Sequence, residues 1–112
     1  MYVETVGTTT ESTLSVGTQS NVASRDYQKG IYSIEVAGTG GTDPDVKIYG
    51  KLIKSDDAAV DSGWVELISQ TGITGDSVVG GVLDIFPYMS FTVDGNSGAR
   101  NIQVTIAYNH RA

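Results

Sequence analysis

The sequence MSFTVDGNSGARNIQVTI, residues 89–106, decides the fold class of this chain. Apolar residues alternate with polar ones in both of its halves: Met89, Phe91, Val93, Ile102, Val104 and Ile106. Alternation with a period of two is typical of strands that bury one face. The intervening DGNSG indicates a hairpin, because Asp-Gly and Asn tolerate positive φ. We therefore predict two antiparallel strands joined by a short turn.

The same alternation recurs upstream, around residues 32–36 and 46–52, and weaker apolar runs cover 64–68 and 78–86. No window combines a 3.6-residue period with helix caps. Seven or so short strands with frequent turns predict an all-β fold, a single antiparallel β-sandwich of Ig-like or jelly-roll topology. We expect the following residues in its core: Ile34, Val36, Ile48, Leu52, Leu67, Phe91, Val93, Val104 and Ile106.

Residues 1–30 differ in composition from the rest. Ten of the first 24 are Ser or Thr, and Glu4 and Glu11 are the only charges among those 24. Because such a segment cannot build a core of its own, we predict an extended polar N-terminal arm at 1–30 and a sandwich domain at 31–112. A short strand within the arm is expected at 13–16. The residues expected to anchor the arm on a partner are Tyr2, Val3, Val6, Leu14 and Val16, with Tyr49 as a further contact. The alternative is that the arm is the first strand of its own sandwich.

The overall composition limits the possible functions. The chain has 112 residues, which favours one domain, and it contains no cysteine, which excludes disulfides and thiolate chemistry. Its formal charge of −6 disfavours nucleic acid and anionic membranes as partners, since both need a basic face. No stretch approaches the roughly 20 apolar residues of a membrane span. The first six residues lack the pattern of a secretory signal, so we expect synthesis in the cytoplasm.

We assign no catalytic, cofactor-binding or metal-binding residues. His110 is the one histidine, and it lies near the end of the chain, where a catalytic base would be poorly held. The glycines of 38–41 are not followed by the Lys and helix of a phosphate loop. Five aspartates in neighbouring loops could bind calcium, although Asp is also an ordinary turn residue and no EF-hand spacing occurs. These are Asp43, Asp45, Asp56, Asp57 and Asp61.

Three aromatic residues, Trp64, Tyr49 and Tyr88, are candidates for a platform that binds sugars or a partner. Trp64 has a competing role as a core residue at the start of a strand. Alternation places Tyr49 with Lys47 and Lys51 on the outer face of its strand.

Four pieces of sequence carry a resemblance to a known family: VKIYGKL at 46–52, WVEL at 64–67, FPYMSFTVDG at 86–95 and NIQVTI at 101–106. In this order they resemble the small β-sandwich structural proteins of tailed-bacteriophage virions, especially capsid decoration (cement) proteins. The short Asp-Gly turn usual before the Trp is replaced here by a longer loop, 55–63. The resemblance covers a little over half of the chain.

The resemblance implies a non-enzymatic virion protein without cofactors. It would be assembled in the host cytoplasm and located on the capsid exterior. Its expected partners are the major capsid protein and further copies of itself, in a trimer or another cyclic oligomer. Tail, neck and fibre-base proteins share the family, so these placements stay open. A carbohydrate-binding module that uses outward aromatic residues is the alternative function.

Overall fold

A computed structural model describes residues 2–14, 20–21, 28–53 and 63–109. Within these ranges the chain forms eight strands and no helix, so no helix long and apolar enough to cross a membrane occurs there. The strands are β1 (Tyr2–Thr9), β2 (Ser20–Asn21), β3 (Gln28–Ala37), β4 (Asp45–Lys51), β5 (Val65–Gln70), β6 (Ser77–Ile85), β7 (Tyr88–Asp94) and β8 (Asn101–Tyr108).

The strands form two antiparallel sheets that pack face to face. The first sheet has the order β1-β8-β3-β6, and the second has the order β2-β7-β4-β5, in which the described part of β2 is Ser20–Asn21. Between them lies one core of apolar side chains, contributed by alternate residues of the long strands. The predicted antiparallel β-sandwich is therefore confirmed.

Most of the expected core residues are buried between the sheets: Ile34, Val36, Ile48, Phe91, Val93, Val104 and Ile106. Leu67 is partly buried and packs against this core. The prediction for Leu52 is wrong, because its side chain is 71% exposed. β4 ends at Lys51, so the alternation that would turn Leu52 inward does not extend to it.

The turn at DGNSG does not form a hairpin. β7 pairs with β4 and β2 in the second sheet, whereas β8 pairs with β1 and β3 in the first. The turn therefore carries the chain from one sheet to the other. Asn96 is fully buried within it, accepts a hydrogen bond from the Arg100 N–H at 3.0 Å and donates to the Arg100 carbonyl at 2.8 Å. This buried side chain holds the crossing, which the turn composition alone did not indicate.

The N-terminal segment is part of the sandwich. β1 pairs with β8 along its whole length, with one register shift between Thr5 and Gly7, so the prediction of a separate arm is wrong for residues 2–9. Val6 enters the core at 4% exposure, and the ring of Tyr2 stacks on that of Tyr108 at 6.0 Å between centroids. The burial of Val6, the stacking of Tyr2 on Tyr108 and the ladder to β8 explain why a polar segment lies on its own domain. The predicted boundary between residues 30 and 31 falls inside β3.

Candidate binding surface

The outer face of the first sheet carries an apolar row that crosses all four strands. The strand registers place Val3 of β1 opposite Ala107 of β8, Ala107 opposite Ile31 of β3, and Ile31 opposite Val82 of β6. Directly opposed residues of an antiparallel pair share one face of the sheet. Since Ile106 and Tyr108 point into the core, this shared face is the outer one. These four residues are called the apolar row below.

Three side chains of the apolar row are accessible to solvent. Val3 is 67% exposed, Ile31 51% and Val82 60%, whereas Ala107 lies low between its larger neighbours at 9%. With a strand spacing of about 4.8 Å, the row extends roughly 14 Å across the sheet. Shallow depressions lie on either side of Ile31 and Ala107. The sheet therefore presents a continuous apolar line to the solvent.

The neighbouring row on the same face is polar but uncharged. It consists, in strand order, of Thr5, Thr105, Ser33 and Gly80. Charges occur farther out on this face, at the exposed Glu35 and at Lys29, whose Nζ lies 3.2 Å from the Asp84 carboxylate. Because the central two rows carry no charge, little desolvation of ionic groups would accompany their burial against another surface.

The residues predicted to contact a partner lie in different environments, some exposed and some buried. Tyr2 and Val3 are exposed on β1, but Val6 belongs to the core, so its predicted role as a partner anchor is wrong. Leu14 is partly buried and forms an isolated antiparallel bridge with Val93, at one end of the predicted 13–16 strand. Val16 lies outside the described residues.

Tyr49 lies on the other sheet, on the outer face of β4 as predicted. It borders a shallow groove of about 340 Å³ that is lined by both polar and apolar residues: Thr13, Leu14, Asp45, Lys47, Tyr49, Thr92, Val93 and Asp94. Lys47 Nζ lies 3.2 Å from the Glu66 carboxylate, and this hydrogen bond and charge attraction raise the pKa of Lys47 above its ordinary value of 10.5. The two surfaces lie on opposite sides of the sandwich and differ in character.

The three residues of the predicted aromatic platform differ in exposure. Trp64 is buried at 7% exposure, with the Lys51 ammonium 5.5 Å from its ring centroid. Its indole N–H has no hydrogen-bond partner among the described residues. Trp64 is therefore buried without belonging to the core cluster between the sheets, while Tyr49 and Tyr88 are both partly exposed.

The aspartates predicted as possible calcium ligands have structural partners where they are described. Asp43 accepts a hydrogen bond from Arg100 at 2.8 Å, and Asp45 accepts one from the Gly72 N–H at 2.7 Å. Asp56, Asp57, Asp61 and His110 lie outside the described residues. Across the described ranges, no three His, Asp or Glu side chains come together as a metal-binding group.

Sequence reasoning missed three members of the apolar row: Ile31, Ala107 and Val82. A signal was present, because each breaks the apolar–polar alternation of its strand. Ile31 precedes the inward Tyr32, Ala107 follows the inward Ile106, and Val82 precedes the inward Leu83. An apolar residue out of phase with the core predicts an apolar position on the opposite face.

The chain is a two-sheet antiparallel β-sandwich with an apolar row on the outer face of its first sheet. No family model, curated protein or solved structure matches the chain.

Proposed function

We propose that the protein is a non-enzymatic structural protein of a tailed-bacteriophage virion. In this proposal it decorates the capsid exterior by binding the major capsid protein. The apolar row carries the proposal, since its exposed valine and isoleucine side chains form a contiguous line with a polar surround. Apolar surface of this kind on a small domain is characteristic of protein–protein contacts. A regular sheet also holds these side chains in place before binding, which reduces the entropy lost in the complex.

The resembling sequence pieces agree with the strand positions. Residues 46–52 contain most of β4, 64–67 begin β5, 86–95 contain β7, and 101–106 lie within β8. Each piece therefore corresponds to a strand with its adjoining turn. This agreement supports a family relationship over the same part of the chain, and with it the virion as location and the major capsid protein as partner.

Co-sedimentation tests the proposal. Shells assembled from the major capsid protein encoded in the same genome are mixed with the full chain and pelleted. Ile31→Lys places a charge at the centre of the apolar row, and Val65→Lys is the matched control, because Val65 is 48% exposed on β5 of the other sheet. We expect the unchanged chain and Val65→Lys to pellet with the shells, and Ile31→Lys to lose about tenfold or more in affinity.

Two results would overturn the proposal. The unchanged chain would remain in the supernatant, or Ile31→Lys would bind as tightly as the control. Purified tails used as a second probe distinguish the placements, since pelleting with tails alone would assign the protein to a tail, neck or fibre base instead.

A carbohydrate-binding module is a second candidate, favoured by the groove beside Tyr49. Hydroxyl, carboxylate and ammonium groups line that groove next to an aromatic ring, a combination suited to sugar recognition. Screening the full chain and Tyr49→Ala against a glycan array tests it. Glycan binding that is lost in Tyr49→Ala, together with no binding to shells, would favour this candidate over the capsid proposal. Trp64→Ala is less informative, because it removes a buried side chain.

A further inference from the structure

The edges of the two sheets differ in how they are protected from pairing with another chain. Natural edge strands avoid such pairing by being short, irregular or charged. β1, at one edge of the first sheet, has a register shift between Thr5 and Gly7. β5 has a register shift opposite Ile48 and Tyr49 and carries Glu66. β1 and β5 therefore each have a protective feature.

β6, the other edge of the first sheet, is long and regular, and Asp84 near its end is its one charged residue. It pairs with β3 over nine consecutive residues without a register shift, and in the described ranges no strand pairs with its other side. Residues 77–83 are uncharged, and β6 contains no proline. Val78 and Val82 on its outer face are 62% and 60% exposed. A long, regular edge whose first seven residues carry no charge is a template for strand addition.

We infer that β6 pairs antiparallel with β6 of a second copy of this chain, around a two-fold axis that passes between the two copies of Gly81. Opposed residues of an antiparallel pair point to the same face. The outer faces of both sheets therefore continue only when the axis lies between two copies of the same residue, so that outward residues oppose outward residues. Gly81 is the central residue of β6, and this register alone uses all nine residues of each strand. The two four-stranded sheets would then form one eight-stranded sheet.

This register makes β6 complementary to itself. On the outer face Val82 lies beside Gly80 of the second copy, so the larger side chain meets the smallest residue. Asp84, the only charged residue of β6, lies beside Val78 of the second copy and far from its own equivalent. Neither a steric conflict nor a like-charge contact arises along the pair, which favours a second copy over an unrelated strand.

The inference goes beyond the proposed function, because it concerns the free chain without a capsid. It also differs from a trimer, one of the cyclic oligomers expected from the family resemblance. An isologous contact between identical strands closes after two copies, whereas a trimer requires two different surfaces, such as β6 against β1 of the next copy. The mass of the assembly therefore distinguishes the two arrangements.

Light scattering and sedimentation of the full chain over a range of concentrations test the inference. Val82→Lys and Val78→Lys form a matched pair, since both substitute outward valines of similar exposure on β6. In the inferred register, lysines introduced at position 82 lie diagonally across the axis, about 7–8 Å apart, and repel each other. A lysine at position 78 instead faces Asp84 of the second copy and is attracted to it.

We expect the unchanged chain to reach a species of twice the 11.8 kDa monomer mass as its concentration rises. Val82→Lys should raise the dissociation constant by about tenfold or more, while Val78→Lys should leave it unchanged or lower it. Circular dichroism verifies that both variants are folded. Amide hydrogen exchange of β6 should slow with concentration in the unchanged chain, but not in Val82→Lys.

Several outcomes would overturn the inference. They are a monomer at the highest concentration, a trimer, or a dimer that Val82→Lys and Val78→Lys weaken equally.

Discussion

Replacing Arg100 with alanine tests whether one buried side chain holds the loops at one end of the sandwich. The side chain of Arg100 is 4% exposed and donates to several oxygens. Nε donates to the Gly40 carbonyl at 2.8 Å, and Nη1 donates to the Asp43 carboxylate at 2.8 Å. Nη2 donates to the carbonyls of Thr39 and Gly41, at 3.2 Å each. The loop between β3 and β4 thus wraps around a guanidinium group that enters from the turn before β8.

The structure sets the size of the expected effect. Hydrogen bonds from a charged donor contribute about 1.5–3 kcal/mol each when buried. Here the acceptors can regain water, because Asp43 is 44% exposed and the loop residues are also exposed, so about 1 kcal/mol per contact is the better figure. Four contacts give about 3–4 kcal/mol for Arg100→Ala, a large share of a typical stability of about 5–15 kcal/mol. Asp43→Asn removes one half-exposed ion pair and should cost about 1 kcal/mol or less.

Urea denaturation followed by tryptophan fluorescence measures both values. Trp64 is the single tryptophan and is buried, so its emission reports the loss of the sandwich. Arg100→Lys is a further control, which should recover only part of the loss because an ammonium cannot reproduce the guanidinium geometry. The reasoning is refuted if Arg100→Ala costs less than about 1 kcal/mol, or if Asp43→Asn costs as much as Arg100→Ala. The second result would assign the stability to the ion pair instead of the carbonyl contacts.

Two further predictions concern the second sheet and its groove. A Cβ on Gly50 would lie 2.5 Å from Phe86 Cγ, so Gly50→Ala should lower the free energy of unfolding by about 1–3 kcal/mol. A Cβ on Gly40 would have its nearest neighbouring atom at 3.9 Å, so Gly40→Ala should cost much less in the same urea titration. Glu66→Gln should lower the pKa of Lys47, as measured by NMR titration of its side chain. Because the folded pKa is the raised one, the pair stabilises the fold below about pH 10.5 and loses this effect as the pH rises through the folded pKa.

The strands of the core could be predicted from the sequence because burial of one face imposes a period of two. Alternation located β3, β4, β7 and β8, and most of the expected core residues are buried. The sheet that each strand joins could not be predicted in the same way. The DGNSG turn determines the local backbone, but the partner of the next strand depends on contacts distant in sequence. The Asn96 side chain, for example, donates a hydrogen bond to the carbonyl of Glu11 at 3.1 Å.

The position of the N-terminal segment likewise could not be predicted from its amino-acid composition. β1, in which three of eight residues are Thr, needs few apolar side chains because its backbone joins a ladder at the sheet edge. Val6 supplies one, and the Tyr108 hydroxyl donates to the Glu4 carboxylate at 2.8 Å across a separation of 104 residues. Such end-to-end pairing leaves no periodic signal in either segment.

The two proposals use the same sheet but make different demands on it, so one substitution separates them. Capsid binding requires the apolar row, which reaches from Val3 on β1 to Val82 on β6, whereas self-pairing requires only the β6 edge. Val3→Lys alters the row at the strand farthest from β6, about 14 Å away across the sheet. It should therefore weaken binding to shells and leave the mass of the free chain unchanged. If pairing through β6 occurs, each dimer presents two apolar rows on one continuous sheet, and a shell with repeated sites would bind the dimer more tightly than the monomer through a higher effective concentration.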